Sequence, residues 1–161
     1  MPAGRRRSPI IGVISDTHGL LRPEAVASLR GSDYIVHAGD IGKPAILDEL
    51  RKIAPVTAIR GNVDRAAWAG KVPSTEVLEI DGTSFYILHN LDELDLNPAA
   101  AGFAAVIYGH SHVPRHEVRM GVLYFNPGSA GPRRFRLPVS VGRITLGASG
   151  VTAEIVALQV E

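Results

Sequence analysis

Short, largely apolar runs alternate with longer amphipathic stretches through the first 60 residues of the chain. The runs at 10–14, 34–38 and 56–59 are typical of strands that are covered on both faces. Between them, Pro23 and Pro44 each stand where a helix can begin, because the first turn of a helix does not need the missing N–H. This order of strand and helix predicts parallel strands that are joined by right-handed crossovers.

The second half of the chain is richer in strands, which the sequence pairs as hairpins. The runs at 77–80 and 83–88 flank Asp81-Gly82, a dipeptide typical of two-residue hairpin turns. Further hairpins are predicted at 118–126 and at 140–158, and a short helix is predicted to start at Asn97-Pro98. The elements predict an α/β fold in which two sheets pack face to face with helices outside.

Composition and charge narrow the class of protein. The chain has 161 residues, of which 45% are hydrophobic and 20% charged, as in an ordinary globular domain. We expect a single domain over residues 9–161, preceded by a flexible tail at residues 1–8. Seventeen Lys and Arg residues nearly balance 16 Asp and Glu residues, which argues against strong nucleic-acid binding and therefore against a nuclease. The oligomeric state is left open, a homo-oligomer included.

Two absences exclude further classes. The sequence contains no Cys, which rules out disulfides and thiolate metal sites. No apolar stretch approaches the ~20 residues of a membrane span, and the run at 10–14 is too short for a signal peptide. We therefore expect a cytoplasmic protein that has no membrane partner.

Side chains that can bind metal follow five of the predicted strands, at the point where each strand ends. They are Asp16 and His18 after 10–14, Asp40 after 34–38, Asn62 after 56–59, His89 after 83–88, and His110 and His112 after 104–108. In open α/β sheets ligands bind beyond the carboxyl ends of the strands, so these seven side chains are expected to converge on one cleft. Each motif alone also fits an ordinary turn; their combination favours a metal site.

Seven ligands are more than one ion needs, and they suit two. Asp16 and His18 are two residues apart, as are His110 and His112, so each pair can aim both side chains at one pocket. Asp40 is a suitable shared ligand because one carboxylate can serve both ions. Imidazole and oxygen donors without sulfur favour Mn²⁺, with Fe, Zn²⁺, Ni²⁺, Co²⁺ or Mg²⁺ as alternatives. Two such ions ~3.5–4 Å apart are the arrangement that hydrolyses phosphate esters.

The remaining histidines, His37 and His116, are interpreted as structural or exposed. His37 lies inside a predicted strand, three residues before Asp40. It is also a candidate for a residue that orients a metal ligand without binding the metal itself.

In order and spacing, these motifs resemble the calcineurin-like metallophosphoesterase superfamily, and in particular its small bacterial and archaeal phosphodiesterase branch. The residues that carry the resemblance are Asp16-Thr17-His18, Gly39-Asp40, Gly61-Asn62, His89, Gly109-His110-Ser111-His112 and Asn126-Pro127-Gly128-Ser129. The resemblance implies a four-layer α/β/β/α sandwich with two mixed β-sheets and a dinuclear metal centre. It assigns Asp16, His18 and His112 to one ion, Asn62, His89 and His110 to the other, and Asp40 to both.

The function that the resemblance implies is hydrolysis of small phosphodiesters by a hydroxide that bridges the two ions. Asn62 would contact the phosphoryl oxygens, and Arg133 is predicted to contact the substrate, with Arg134 and Arg65 as further candidates. Many members have a proton-donating His after the ligand Asn, where this chain has Val63. Asp64 is therefore predicted as a catalytic residue that replaces it.

The alternative is a non-catalytic metal-binding or protein-interaction scaffold of the same fold, as in the retromer subunit that resembles this family. The sequence favours the enzyme, because all seven ligand positions carry residues that can bind metal.

Overall fold

The computed structural model describes residues 8–160, so the predicted tail at 1–8 lies outside the described residues apart from Ser8. In chain order the elements are β1 (Ile10–Ile14), α1 (Pro23–Leu29), β2 (Tyr34–His37), α2 (Pro44–Arg51), β3 (Val56–Ala58), β4 (Thr75–Ile80), β5 (Thr83–Leu88), α3 (Pro98–Ala101), β6 (Ala105–Ile107), β7 (Arg115–Arg119), β8 (Val122–Asn126), β9 (Ser140–Gly147) and β10 (Gly150–Ala157). Short 3-10 turns lie at Ala67–Lys71 and Leu91–Glu93. No helix in this part of the chain is long and apolar enough to cross a membrane.

The first sheet has the strand order β10-β9-β1-β2-β3. Strands β1, β2 and β3 are parallel, as the alternation of strands and helices predicts, and β9 pairs antiparallel with β1 and β10. Pro23 and Pro44 are the first residues of α1 and α2, as predicted.

The second sheet has the order β4-β5-β6-β8-β7, in which β5, β6 and β8 are parallel. The predicted hairpin turn joins β4 to β5, with φ of 50° at Asp81 and 82° at Gly82. Strand β7 begins at Arg115, three residues before the predicted hairpin. That prediction was too short because this edge strand is mostly exposed and polar, so no apolar run marks its start.

The two sheets pack face to face around a core that includes Ile11, Val36, Phe85, Ile107 and Phe125. Helices α1 and α2 cover the outer face of the first sheet, where Leu29, Ile46 and Leu50 are buried. The outer face of the second sheet packs against Leu91 and Leu94, and Phe103 stacks on Tyr86 with ring centroids 5.3 Å apart. The predicted α/β sandwich is confirmed, although its fourth layer holds only the four-residue helix α3 and a 3-10 turn.

Candidate metal centre

Backbone hydrogen bonds join the loops that carry the predicted ligands. Asp16 N–H donates to the carbonyl of Gly39 at 3.0 Å, and His18 N–H donates to that of Asp40 at 2.9 Å. On the other sheet, Gly109 N–H donates to the carbonyl of His89 at 3.0 Å. The loops after β1 and β2 are thus fixed to each other, and so are the loops after β5 and β6.

Asp16, His18 and His112 form a first group, because each offers a ligand atom within 4.8 Å of the others. His112 Nε2 is 3.5 Å from Asp16 Oδ1 and 3.3 Å from His18 Nε2. Donors that bind one ion at ~2.0–2.2 Å lie roughly 3–3.6 Å apart, so these atoms are close to the spacing of a ligand shell.

Asp16, Asp40 and His89 form a second group under the same limit. Asp40 Oδ2 is 3.1 Å from His89 Nε2 and 3.6 Å from His18 Nε2. One carboxylate oxygen therefore lies between histidines that the resemblance assigns to different ions. The ring of His110 lies against that of His89, with centroids 5.2 Å apart, and both residues line the same cleft as Asn62.

Buried donor atoms in this cluster lack hydrogen-bond partners among the described residues. They include Asp16 Oδ1 and His89 Nε2. His89 Nδ1 donates to the carbonyl of Ala38 at 2.7 Å, so Nε2 is the ring atom that faces the carboxylates. A buried polar atom without a partner costs ~1–3 kcal/mol, and a cation bound between these atoms would remove that cost. The donor set of imidazoles and carboxylates fits divalent metal ions.

The backbone at the site is unusual. Asp16, His18, Asp40, His110 and His112 all have positive φ, between 47° and 76°, and they make up five of the eight such non-glycine residues in 8–160. Left-handed backbone costs a residue with a side chain ~1–3 kcal/mol and tends to persist at functional sites. The strain is therefore concentrated on the predicted ligands.

Two glycines allow the loops to approach the carboxylates closely. A Cβ atom at Gly61 would lie 2.1 Å from Asp40 Oδ1. A Cβ atom at Gly109 would lie 2.1 Å from Ser15 Oγ and 2.9 Å from Asp16 Oδ2. Neither position has room for a side chain, so the spacing of the ligands depends on these two residues.

Burial and neighbouring charges shift the pKa values of the cluster. Burial raises the pKa of Asp16 to about 6, against opposing effects of His89 and Ser15. Burial would also raise the pKa of Asp40, but nearby His89 and the Val63 N–H outweigh it and hold that pKa below its usual value. Burial lowers the pKa of His112 to about 4, which favours the neutral ring that a metal ligand needs.

His37 joins the two loops that carry Asp16, His18 and Asp40. It is fully buried, and Nδ1 accepts a hydrogen bond from Gly39 N–H at 3.1 Å. The ring proton therefore lies on Nε2, which donates to Thr17 Oγ1 at 3.0 Å, and this hydroxyl donates to the carbonyl of Ile41 at 2.7 Å. Burial lowers the pKa of His37 to about 3, so the ring is neutral. His116, by contrast, is exposed on β7.

The structure adds supporting residues that sequence reasoning did not place. Ser15 Oγ donates to Asp16 Oδ2 at 2.8 Å, and Ser129 Oγ donates to the carbonyl of Asp16 at 3.1 Å. Asn126, the last residue of β8, donates to the carbonyl of Gly109 at 3.1 Å. The sequence signal for these two residues was their place at the end of a strand: Asn126 ends β8 and Ser129 follows it. Strand β8 is parallel to β6, the strand that leads to His110.

The position of Asp64 differs from the one predicted for a catalytic residue. Its side chain is buried, Oδ2 accepts from the N–H groups of Ile41 and Gly61, and Oδ1 accepts from that of Gly42. With both oxygens held by the backbone, this carboxylate ties the loop after β3 to the loop after β2. Val63 is 47% exposed at the edge of the site, and its N–H donates to Asp40 Oδ1 at 3.1 Å.

The predicted substrate-binding Arg133 is exposed in the loop between β8 and β9. Its neighbour Arg134 lies near enough to the site for its charge to contribute to the lowered pKa of His112. Arg65 is exposed, and its Nε donates to the carbonyl of Asn62 at 3.0 Å.

A cleft of about 550 Å³ opens beside the cluster. One end is lined by Asn62, His89 and His110, so the cleft reaches the predicted ligands of the second ion. Away from the ligands, its lining is Arg60, Ser74, Thr75, Tyr86, Leu88, Asn90, Glu93 and Asp95. The volume is within the range of small-molecule sites.

A two-sheet α/β sandwich with carboxylates and imidazoles gathered at the ends of its parallel strands defines a class of metal-dependent phosphoester hydrolase. The chain belongs to the calcineurin-like phosphoesterase superfamily, whose domain matches residues 10–149. The predicted family and the predicted class of enzyme are thus confirmed.

Individual relatives agree with this membership. The chain is 33% identical over 159 residues to a probable metallophosphoesterase of Methanothermobacter thermautotrophicus, a match that covers 91% of each chain. It is 26% identical over 160 residues to phosphodiesterase YfcE of Escherichia coli, covering 81% of this chain and 84% of that one. The structure of vacuolar protein sorting 29 from Cryptosporidium parvum superposes with a TM-score of 0.74 at 16% identity, over 97% of this chain and 100% of that one, and shows a shared fold.

Proposed function

We propose that the chain is a phosphodiesterase that binds two divalent metal ions and hydrolyses small phosphodiesters. The observation that carries the proposal is the position of Asp40 Oδ2, 3.1 Å from His89 Nε2 and 3.6 Å from His18 Nε2. A carboxylate that serves two ions needs histidines of both ligand sets close to it, and His89 and His18 both lie close to Asp40 Oδ2.

We assign Asp16, His18 and His112 to one ion and Asn62, His89 and His110 to the other, with Asp40 shared. The short distances among Asp16, His18 and His112 support the first set. The cleft shared by Asn62, His89 and His110 supports the second. Four imidazoles among seven ligands favour Mn²⁺, Fe, Zn²⁺, Ni²⁺ or Co²⁺ over Mg²⁺, and we propose Mn²⁺ as the working metal.

When bound, the two ions would supply Lewis acidity and a water of lowered pKa. The side chain of Asn62 is exposed toward the cleft, where its amide can donate a hydrogen bond to a phosphoryl oxygen as negative charge develops there. We propose that Arg133 and Arg134, which are exposed in the loop between β8 and β9, neutralise the anionic substrate.

Neither of the two residues that follow Asn62 is placed to donate a proton to the leaving group. Val63 carries no proton to donate, and both oxygens of Asp64 accept hydrogen bonds from the backbone. We therefore propose Asp64 as a positioning residue rather than a general acid. The substrates that suit the site are diesters whose leaving group is stable as an anion.

A non-catalytic scaffold is the second candidate, and the fold shared with vacuolar protein sorting 29 favours it. The two candidates differ in turnover rather than in metal content, because both can keep the seven ligands.

The test is metal analysis of the purified protein, paired with hydrolysis of bis(4-nitrophenyl) phosphate and 4-nitrophenyl phosphate with Mn²⁺, Zn²⁺, Ni²⁺ and Mg²⁺ in turn. We expect two ions per chain and a faster reaction with the diester. Two bound ions without turnover of either ester would favour the scaffold, and a protein that binds no metal would contradict the phosphodiesterase.

A further inference from the structure

The loop between β8 and β9 is anchored to the segment that carries the first ligands. Ala130 N–H donates to the carbonyl of Ser15 at 3.0 Å. A Cβ atom at Gly131 would lie 2.5 Å from the carbonyl oxygen of Asp16 and 2.3 Å from that of Thr17, so the two backbones are in direct contact. The exposed residues that follow Gly131 therefore begin next to the backbone of Asp16 and Thr17.

Residues 132–136, Pro-Arg-Arg-Phe-Arg, form what we call the arginine loop, and all five are exposed. Three arginines within four residues give it a local charge of +3 in a chain whose net charge is +1. Arg134 is close enough to the metal centre for its charge to act on His112. The loop thus starts beside Asp16 and Thr17, and the cleft is lined by His89 and His110.

The tip of the arginine loop is a tight turn in which Leu137 N–H donates to the carbonyl of Arg134 at 3.1 Å. Phe135 is the second residue of this turn, with φ of 54°, a position that normally carries glycine. Its side chain is nevertheless a large aromatic ring, 87% exposed. The sequence thus places an apolar ring at a strained and solvated position between arginines, where neither folding nor solubility favours it.

We propose that the arginine loop recognises nucleotide phosphodiesters, with a base stacked on Phe135 and a second phosphate of the same substrate paired with Arg133 and Arg134. The inference rests on the proposed phosphodiesterase function and specifies its substrate class. An exposed aromatic ring beside arginines is a combination that binds nucleotides, because the ring stacks on the base and guanidinium groups bind phosphate.

The contacts of Ala130 and Gly131 with residues 15–17 place the start of the loop next to the proposed ligand Asp16. A diester whose phosphorus lies at the cluster has one substituent directed to each side of the cluster. The cleft beside His89 and His110 can take the leaving group, and the arginine loop can then take the nucleoside that is retained. The near-neutral charge of the whole chain fits a short nucleotide better than a duplex.

The test uses three diesters with the same nitrophenolate leaving group: methyl 4-nitrophenyl phosphate, thymidine 5′-(4-nitrophenyl phosphate), and the same thymidine ester with a 3′-phosphate. We expect kcat/KM to rise roughly tenfold when the base is added, in the range of base–aromatic stacking. A further rise is expected with the 3′-phosphate. The readout is the ratio of kcat/KM between substrates, which cancels any effect on the common chemistry.

Phe135→Ala is expected to abolish most of the preference for thymidine over methyl. Phe135→Gly should do the same while suiting the turn better, which separates recognition from stability. Met120→Ala is the matched control, because Met120 is 88% exposed with φ of 52° in another turn, and it should leave the ratio unchanged. Arg134→Gln should remove the gain from the 3′-phosphate, and Arg51→Gln on α2 should not.

A thymidine preference that survives both Phe135 variants, or that is absent from the wild type, would overturn the inference and leave the phosphodiesterase intact. Failure to hydrolyse any of the three esters with any metal would instead overturn the proposed function.

Discussion

The Nε2 atom of His37 lies 3.0 Å from the hydroxyl oxygen of Thr17, inside the protein and between two loops that carry predicted ligands. Thr17 separates Asp16 from His18, and His37 precedes Asp40 by three residues. Each hydrogen-bonding atom of the pair has a partner, since Gly39 N–H donates to the ring and Thr17 donates to Ile41. The pair therefore sets the position of one ligand loop relative to the other without itself binding an ion.

Removal of this hydroxyl tests that role. Thr17→Val keeps the shape of the side chain but leaves the Nε2–H of His37 buried without an acceptor. We expect a loss of ~1–3 kcal/mol in the free energy of unfolding, measured by urea denaturation of the metal-free protein. Thr152→Val, an exposed position on β10, is the control. Equal stability of the two variants would show that the bond to His37 is unimportant.

The lowered pKa of His37 predicts a pH dependence of the metal-free protein. The folded protein does not protonate this ring until about pH 3, whereas the unfolded chain does so near 6.5. Below pH 6.5 the unfolded state thus binds more protons than the folded state. As the pH falls, this group lowers the free energy of unfolding by up to ~1.4 kcal/mol per pH unit. We expect His37→Gln to flatten the dependence between pH 6.5 and 5, and His116→Gln to leave it unchanged. An unaltered slope in His37→Gln would contradict the assignment.

Asp40→Ala is expected to lose both ions, because its carboxylate is the proposed shared ligand. Loss of a residue that only hydrogen-bonds to a metal ligand typically lowers activity ~10–100-fold, and the loss from Asp40→Ala should be larger. Metal content by elemental analysis and kcat/KM with bis(4-nitrophenyl) phosphate are the measurements. Asp48→Ala, on the exposed face of α2, is the matched control. A variant that keeps two ions and the full rate would exclude Asp40 as the shared ligand.

Chelation is expected to remove activity, and Mn²⁺ should restore it at least as well as Mg²⁺. The reason is the four imidazoles of His18, His89, His110 and His112, since Mg²⁺ prefers oxygen ligands and water. The measurement is the rate after dialysis against EDTA and titration with each metal. Full activity in EDTA after that dialysis would contradict the metal-dependent reaction.

Activity is expected to fall steeply as the pKa of the leaving group rises, because neither Val63 nor Asp64 is placed to protonate it. A missing general acid typically costs ~10²–10⁴-fold. A series of aryl and alkyl phosphodiesters measures the slope, and Val63→His is expected to make it shallower. A shallow slope in the wild type that steepens in Asp64→Asn would show that Asp64 is the acid after all.

The sequence predicts most of the fold because strands covered on both faces are apolar along their whole length. The run that became β1 is of this kind, and the polar residues Asp16 and His18 follow it. The exposed edge strand β7 carries no such pattern, so its start at Arg115 could not be predicted. The thin outer layer beside α3 follows no periodic pattern either, since Leu91 and Leu94 belong to a short 3-10 turn and the residue after it.

The residue types of the candidate site were also readable, but the direction of some side chains was not. From the sequence, a carboxylate two positions after Asn62 fits a proton donor and a structural residue that joins two loops equally well. For Asp64, only the hydrogen bonds from the N–H groups of Ile41, Gly42 and Gly61 favour the structural role. The contacts of Asn126 and Ser129 depend on how the loop after β8 meets the loops after β1 and β6. Such contacts between distant segments have no local sequence signal.

The left-handed backbone at five of the proposed ligands lowers the stability of the fold at the residues that the proposed function needs. Glycine or asparagine would suit the conformation of His18, His110 and His112 better than histidine does, so replacing these ligands would relax the metal-free chain. Replacement of one of these histidines by glycine is therefore expected to raise the stability of the metal-free protein while it removes a proposed ligand.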